Sequence, residues 1–161
     1  MLAKNKAGYQ NLIKLASIAY TEGMYYVPRI DKDIVQEYKE NLIMLSGGIQ
    51  GEISNLLLNV GEKQAEEALI WWKNAFKDDF YIELTRHGVE VESRLNPSLV
   101  RLANKHGVKL IATNNSFYVE QEDSIAHDVL LCVKDNQLVE TPKGRGRGFR
   151  YGLENDEYYI K

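Results

Sequence analysis

The sequence predicts an α/β fold built around a parallel β-sheet. Three short apolar runs, at 42–45, 80–84 and 110–112, each end in a polar loop, and helical segments alternate with them along the 161-residue chain. Strands that alternate with helices are typical of a parallel sheet with covered faces. Because three strands are few for such a sheet, we expect either strands that the pattern does not reveal or a larger α/β unit that contains this chain.

Composition indicates a single globular domain. The chain is 44% hydrophobic and 27% charged, and its net charge of −3 gives no general reason to expect affinity for nucleic acids or membranes. No apolar stretch approaches the roughly 20 residues that a membrane span needs. The single cysteine, Cys132, excludes an internal disulfide and fits a reducing cytoplasm, and its apolar neighbours predict a core position.

The first third of the chain is predicted to contain two helices and one strand. Apolar residues from Tyr9 to Tyr20 recur at helical spacing, and an extended linker follows because Pro28 disfavours helix at the residue before it. Asp31 is a suitable cap for a short second helix. The first strand, 42–45, ends in a tight glycine-containing loop.

The rest of the chain continues the alternation. The predicted elements are helices at 53–60 and 65–76, a strand at 80–84, a helix at 97–106, a strand at 110–112 and a helix at 124–133. Asn96 and Pro97 form a good helix start, because asparagine caps and proline occupies the first helical position. The loop Thr113–Tyr118 follows the third strand, where parallel-sheet proteins place their chemistry, yet it holds no carboxylate, imidazole or thiolate.

Residues 141–161 are predicted to form a flexible basic loop and a polar tail. Arg145, Arg147 and Arg150 alternate with glycines and aromatic residues, a pattern found in segments that contact single-stranded nucleic acid. The same pattern is also typical of a solvated loop, and both interpretations stay open.

Several stretches of the sequence resemble one family. They are 2–12 (LAKNKAGYQNL), 28–31 (PRID), 42–52 with LSGG inside it, 81–84 (YIEL), 112–115 (ATNN) and 126–130 (AHDVL). In this order they are similar to stretches of the alpha subunit of bacterial DNA polymerase III, the replicative polymerase. The resemblance covers nearly the whole chain and lies in the amino-terminal PHP (polymerase and histidinol phosphatase) domain of that family.

The resemblance implies a fold and a boundary. The PHP domain of the family is a distorted, TIM-barrel-like barrel of parallel strands with helices outside. It implies that residues 1–140 are the carboxyl-terminal part of this domain and that 141–161 lead toward the polymerase core. The amino-terminal strands and the His-X-His metal motif of the family have no counterpart here, so we expect a fragment of a longer chain. Its uncovered strand edges and apolar flank should make it self-associate or leave segments at its ends disordered.

Catalytic PHP relatives bind a cluster of metal ions, and the resemblance locates three of the ligand positions. Gly48 stands where the family has cysteine, and Asn115 and Phe117 stand where it has aspartate and histidine. Glycine and phenylalanine offer no ligand, and a neutral amide is a weak substitute for a carboxylate. These degenerate positions imply a segment without metal or other cofactor, whereas the Mg²⁺ of the polymerase reaction is expected in the palm, outside this chain.

Other ionisable residues near the predicted strand ends keep alternatives open. Glu52, Glu83 and His127 are candidates for a residual site, although a packed histidine and two solvated carboxylates are the plainer interpretation. His87, beside an arginine at a strand exit, fits a phosphate contact or a solvated loop. His106 lies in a last helical turn, where a cation is favoured without any further function.

The sequence therefore predicts a non-catalytic, structural module of a replicative, DNA-directed DNA polymerase. Its expected partners are the remainder of the polymerase chain and, by the resemblance, the separate proofreading exonuclease subunit, whereas DNA is a partner of the parent chain. The alternative is an enzyme: a metal-dependent phosphoesterase or proofreading 3′–5′ exonuclease that uses non-standard ligands.

Overall fold

The computed structural model describes residues 1–87, 90–136 and 138–140. Its α-helices are α1 (Lys6–Thr21), α2 (Lys32–Tyr38), α3 (Glu52–Asn59), α4 (Glu62–Phe76), α5 (Glu90–His106) and α6 (Ser124–Asp135). Its strands are β1 (Leu2–Ala3), β2 (Met24–Tyr25), β3 (Val27–Pro28), β4 (Leu42–Leu45), β5 (Phe80–Leu84) and β6 (Lys109–Ala112). Short 3₁₀ turns lie at Gly48–Gln50, Lys77–Asp79 and Gln121–Asp123.

The main sheet has the strand order β1-β4-β5-β6. Strands β4, β5 and β6 are parallel, with Leu45 opposite Tyr81 and Ile82 opposite Leu110. The predicted parallel sheet of three strands is therefore confirmed. Strand β1 pairs antiparallel with β4 and was missed, because two residues are too short to show an alternating pattern. The described strands form an open sheet.

The hydrophobic core lies where the helices pack on β4 and β5. The largest fully buried apolar side chains are those of Leu42, Ile53, Leu69, Phe80, Ile82, Leu99 and Leu102. They come from two strands and from α3, α4 and α5, so each helix buries one apolar face against the sheet. Burial of one such side chain contributes about 1.5–3 kcal/mol, which makes this cluster the main source of stability.

Two helix starts are held by side-chain caps. The Asn5 Oδ1 atom accepts a hydrogen bond of 3.0 Å from the Gly8 N–H at the start of α1. Asp31 caps α2 as predicted, and its Oδ1 atom lies 2.9 Å from the Ile34 nitrogen. Each cap satisfies a backbone donor that the helix itself leaves unpaired.

The predicted start of α5 at Asn96 and Pro97 is wrong. The helix begins at Glu90 and continues through Pro97 to His106. Asn96 does not cap it; its side-chain amide donates instead to the Thr85 carbonyl oxygen at 3.0 Å. A proline inside a helix costs about 3 kcal/mol. Burial of Leu95 and the hydrogen bonds that Glu92 accepts from Thr85 and His87 act against that cost.

The segment predicted as an extended linker is a small hairpin. Strands β2 and β3 pair antiparallel, with Tyr25 opposite Val27. Tyr26 forms the tip with a φ of 61°, and 89% of its surface is exposed. A linker pattern cannot reveal this hairpin, because a tyrosine at positive φ is not a usual turn signal.

Two further results complete the fold. The predicted core position of Cys132 is confirmed, since only 2% of its surface is exposed. The basic loop and tail at 141–161, with Arg145, Arg147 and Arg150, lie outside the described residues. Among the helices that are described, none is both long enough and apolar enough to cross a membrane.

Candidate functional site at the carboxyl ends of the parallel strands

The loops that follow β4, β5 and β6 meet at one edge of the sheet. The Ser46 N–H, directly after β4, donates to the Tyr81 carbonyl oxygen at 3.0 Å. On the other side of β5, the Thr113 N–H donates to the Leu84 carbonyl oxygen at 3.0 Å. The parallel pairing thus continues into the loops and brings their polar side chains together.

Glu83, in β5, is the central polar residue of this edge. One carboxylate oxygen accepts from the Gly47 N–H at 3.0 Å, and the other accepts from the Thr113 hydroxyl at 2.7 Å. The Glu83 N–H in turn donates to the Ser46 hydroxyl oxygen at 2.9 Å. Both carboxylate oxygens are therefore engaged in fixing the two neighbouring loops.

The loop after β4 depends on glycine. Gly47 and Gly48 have φ values of 88° and 55°, in the left-handed region that side chains with a Cβ atom disfavour. A Cβ atom built on Gly51 would lie 1.8 Å from the Ser46 carbonyl oxygen, so the chain approaches itself too closely for any other residue. A cysteine at position 48 would have to adopt a strained backbone conformation.

A second acidic residue, Glu92 of α5, is buried beside this edge with only 2% of its surface exposed. It accepts hydrogen bonds from the Thr85 hydroxyl at 2.7 Å, the His87 N–H at 2.6 Å and the His87 Nδ1 atom at 2.9 Å. The other ring nitrogen of His87 accepts from the Asn115 N–H at 3.2 Å. Glu92 and His87 therefore connect the exits of β5 and β6.

Two opposing effects act on the Glu92 carboxyl. Burial alone raises the pKa, whereas the hydrogen bonds from the His87 ring, the Thr85 hydroxyl and the His87 N–H together outweigh burial and lower the pKa below its ordinary value of 4.5. Because Asn115 donates to Nε2 of His87, the lone pair is on that nitrogen, and Nδ1 donates its proton to Glu92.

The solvated-loop interpretation of His87 is wrong, because only 11% of its side chain is exposed and it pairs with Glu92. Glu92 itself was missed. The sequence does place an acidic residue five positions after a histidine that follows a strand. This pattern is a weak signal, because acidic residues are common near the start of a helix on electrostatic grounds alone.

His106 ends α5 as predicted, and its Nε2 atom lies 2.5 Å from a Glu66 carboxylate oxygen.

The three residues of the predicted residual site have different partners. Glu52, at the start of α3, accepts from the Lys32 ammonium and the Trp72 indole, each at 2.7 Å. Glu83 binds the two loops described above. The His127 ring stacks on Phe117, with a centroid distance of 5.2 Å.

In the part of the chain that the structure describes, the three positions that the resemblance marks as metal ligands carry no metal-binding side chain of the family type. Gly48 offers no side chain, the Asn115 backbone contacts His87, and Phe117 stacks on a histidine. Within residues 1–87, 90–136 and 138–140, no group of three or more His, Cys, Asp and Glu side chains is arranged to hold a metal ion. The acidic groups that remain, Glu83 and Glu92, have protein donors on their oxygens.

Known proteins resemble this chain over its whole length. Residues 1–87 match the model of the PHP domain family. The full chain is 42% identical to the DNA polymerase III subunit alpha of Borreliella burgdorferi, 41% identical to that of Treponema pallidum and 39% identical to that of Thermus aquaticus. It spans 13–14% of the length of these relatives. The resemblance seen in the sequence is thereby confirmed, and the chain belongs to the PHP domain family.

Proposed function

We propose that this chain is a PHP segment of a cytoplasmic replicative DNA polymerase, in which it serves as a structural and subunit-docking module without a metal. Its similarity to DNA polymerase III alpha subunits along all of its residues supports this parentage. The DNA-directed polymerase activity, and the binding of DNA, belong in this proposal to a longer protein of which the chain covers a small share.

One observation carries the non-catalytic part of the proposal. The acidic side chains at the carboxyl edge of the sheet are used as hydrogen-bond acceptors within the chain itself. Glu83 holds the loops after β4 and β6, and Glu92 holds His87. In the proposal these carboxylates serve to position loops, and a metal ion would have to share their oxygens with the donors already present.

The docking part rests on an exposed apolar face of α6. Ile125, Val129 and Val133 recur every four residues, and 71%, 42% and 74% of their surfaces are exposed. Such a face costs free energy in water and is typical of a surface that packs on another part of an assembly. We propose that the rest of a distorted parallel barrel, the polymerase core or the proofreading exonuclease subunit covers surfaces of this kind, and that the isolated chain self-associates instead.

A chelation experiment tests the metal-free role. The melting temperature of the purified protein is measured with and without EDTA, and its metal content is determined by mass spectrometry. We expect unchanged melting and less than one bound ion per molecule. Tightly bound ions whose removal destabilises the protein would contradict the proposal and favour the alternative phosphoesterase or 3′–5′ exonuclease.

Two measurements test the parentage and the self-association. An antibody against this chain should recover, from the source cell, a protein several times larger than 18.5 kDa that extends a DNA primer in the presence of Mg²⁺. Light scattering of the isolated chain should give a mass above that of a monomer at high concentration. A strictly monomeric particle would contradict the self-association.

A further inference from the structure

A small cleft lies at the amino-terminal edge of the sheet, opposite the loops described above. Its volume is about 240 Å³, and it lies between the end of α4, the turn that follows α4 and the connection from α5 to β6. The charged residues that line it are Lys73, Lys77, Asp78 and Lys109. Three lysines and one aspartate therefore line the same cleft.

Two of these lysines are anchored across the cleft. The Lys73 ammonium, on α4, donates to the carbonyl oxygen of His106 at the end of α5. The Lys109 ammonium, on β6, donates to the carbonyl oxygen of Asp78 at 3.3 Å. An ammonium group has three donors, so Lys73 retains two donors for a further acceptor. The Lys109 ammonium also lies over the Tyr81 ring, 5.6 Å from its centroid, and this contact leaves room for a further acceptor.

The charge around the cleft is positive, although the whole chain is acidic. The neighbouring Lys4 and Lys105 are paired with Asp79 and Glu66, and these pairs cancel. The carboxyl-terminal ends of α4 and α5 each contribute about half a negative charge, which offsets part of the lysine charge. After these contributions and that of Asp78, about one positive charge remains.

Lys77 adopts a backbone conformation that favours glycine. It directly follows α4, with a φ of 52° and a ψ of −118°. This positive-φ region is readily adopted by glycine, and a side chain with a Cβ atom costs about 1 kcal/mol or more there. A lysine at this position is unfavourable for the backbone, yet it is one of the residues that line the cleft.

We propose that this cleft binds a phosphate group, either as inorganic phosphate or as part of a nucleic-acid backbone. Lys73 and Lys109 supply oriented N–H donors, Lys77 supplies charge, and Asp78 weakens the site by repulsion. Phosphate fits these groups because it accepts several charge-assisted hydrogen bonds at once. This site is separate from the carboxyl edge of the sheet and does not depend on the proposed function.

The test is a phosphate titration of the 161-residue chain followed by backbone NMR, with sodium chloride at matched ionic strength as the reference. We expect saturable shifts at Gly107 and Lys109. Lys77→Met and Lys109→Met should each weaken binding about fivefold, and Asp78→Asn should strengthen it several-fold. The matched control is Lys63→Met, an exposed lysine on α4 about 15 Å before Lys73, which should leave the affinity unchanged.

A second arm identifies the source of the phosphate group. A single-stranded oligonucleotide is titrated in the same way and then challenged with inorganic phosphate. Shifts of the cleft residues that phosphate reverses indicate a backbone phosphate, whereas shifts with inorganic phosphate alone indicate a free anion. The proposal is overturned if neither ligand gives saturable shifts, or if Lys63→Met weakens binding as much as Lys109→Met.

Discussion

The two edges of the parallel sheet use their charged side chains in opposite ways. At the carboxyl edge, Glu83 and Glu92 have donors of the same chain on their oxygens. At the amino edge, the ammonium groups of Lys73 and Lys109 each have one carbonyl partner and keep further donors. The edge where parallel sheets usually carry chemistry thus uses its charged groups to join loops of the same chain, whereas the lysines of the opposite edge line the cleft proposed to bind phosphate.

The largest expected effect comes from Glu92. Glu92→Ala leaves the Thr85 hydroxyl and two His87 donors without their acceptor in a buried place, so the free energy of unfolding should fall by about 3 kcal/mol. Urea denaturation measures the change. Glu90→Ala is the matched control, since this exposed residue lies in the same first turn of α5 and should cost less than about 1 kcal/mol. Equal losses in the two variants would show that the hydrogen bonds of Glu92 contribute little.

The pH dependence of stability gives a smaller effect at the same residue. The pKa of Glu92 is lower in the folded protein than its ordinary value of 4.5, so its stabilising contribution is fully present above pH 4.5 and is lost as pH falls through the folded pKa. The stability difference between the wild type and Glu92→Gln should therefore be constant near neutrality and narrow below pH 4.5. Denaturation curves at several pH values check this prediction. A stability difference between the two proteins that increases below pH 4.5 would contradict it.

Thr113 tests the other half of the carboxyl edge. Thr113→Val keeps the side-chain shape but removes the hydroxyl donor from Glu83, so the free energy of unfolding should fall by about 1.5 kcal/mol. Ser116→Ala, at an exposed position of the same loop, should change it by less than about 0.5 kcal/mol. Thermal unfolding measures both variants. Equal losses of stability in Thr113→Val and Ser116→Ala would mean that the hydrogen bond from Thr113 to Glu83 contributes no specific stabilisation.

The smallest expected effect lies at the amino edge and has the opposite sign. Lys77→Gly relieves backbone strain of about 1 kcal/mol but adds flexibility to the unfolded chain, so the net stabilisation should be about 0.5 kcal/mol. Lys77→Met keeps the strain and should leave stability unchanged. Destabilisation by the glycine variant would show that the lysine side chain supports the fold, which would remove the contrast between the two edges.

The sequence predicted the sheet better than it predicted the polar contacts. The strands β4, β5 and β6 were recognised because their apolar runs are short and end in polar loops. The start of α5 was missed because the Asn96–Pro97 pair is a strong local signal, whereas the earlier start is supported by the burial of Leu95 and by the hydrogen bonds of Glu92. The local sequence pattern indicates the conformation that a segment prefers by itself. The start of α5 depends instead on the contacts of Glu92 with Thr85 and His87.

The candidate site shows the same limit. The resemblance located Gly48, Asn115 and Phe117, because they follow recognisable motifs. It gave no sign that Glu92 contacts His87, nor that Glu52 contacts Lys32 and Trp72. Those pairs join residues from different elements, and spacing along the chain cannot reveal which elements become neighbours.

The strand order β4-β5-β6 also constrains how the protein forms during synthesis. Each parallel strand pairs with the one made immediately before it, so every new strand–helix unit finds its neighbour already available when it leaves the ribosome. The sheet can therefore grow in one direction, toward β6. Amide hydrogen exchange should follow the same direction: slower in β4 and β5, each of which has a strand on both sides, and faster in β6, which has one neighbour among the described strands.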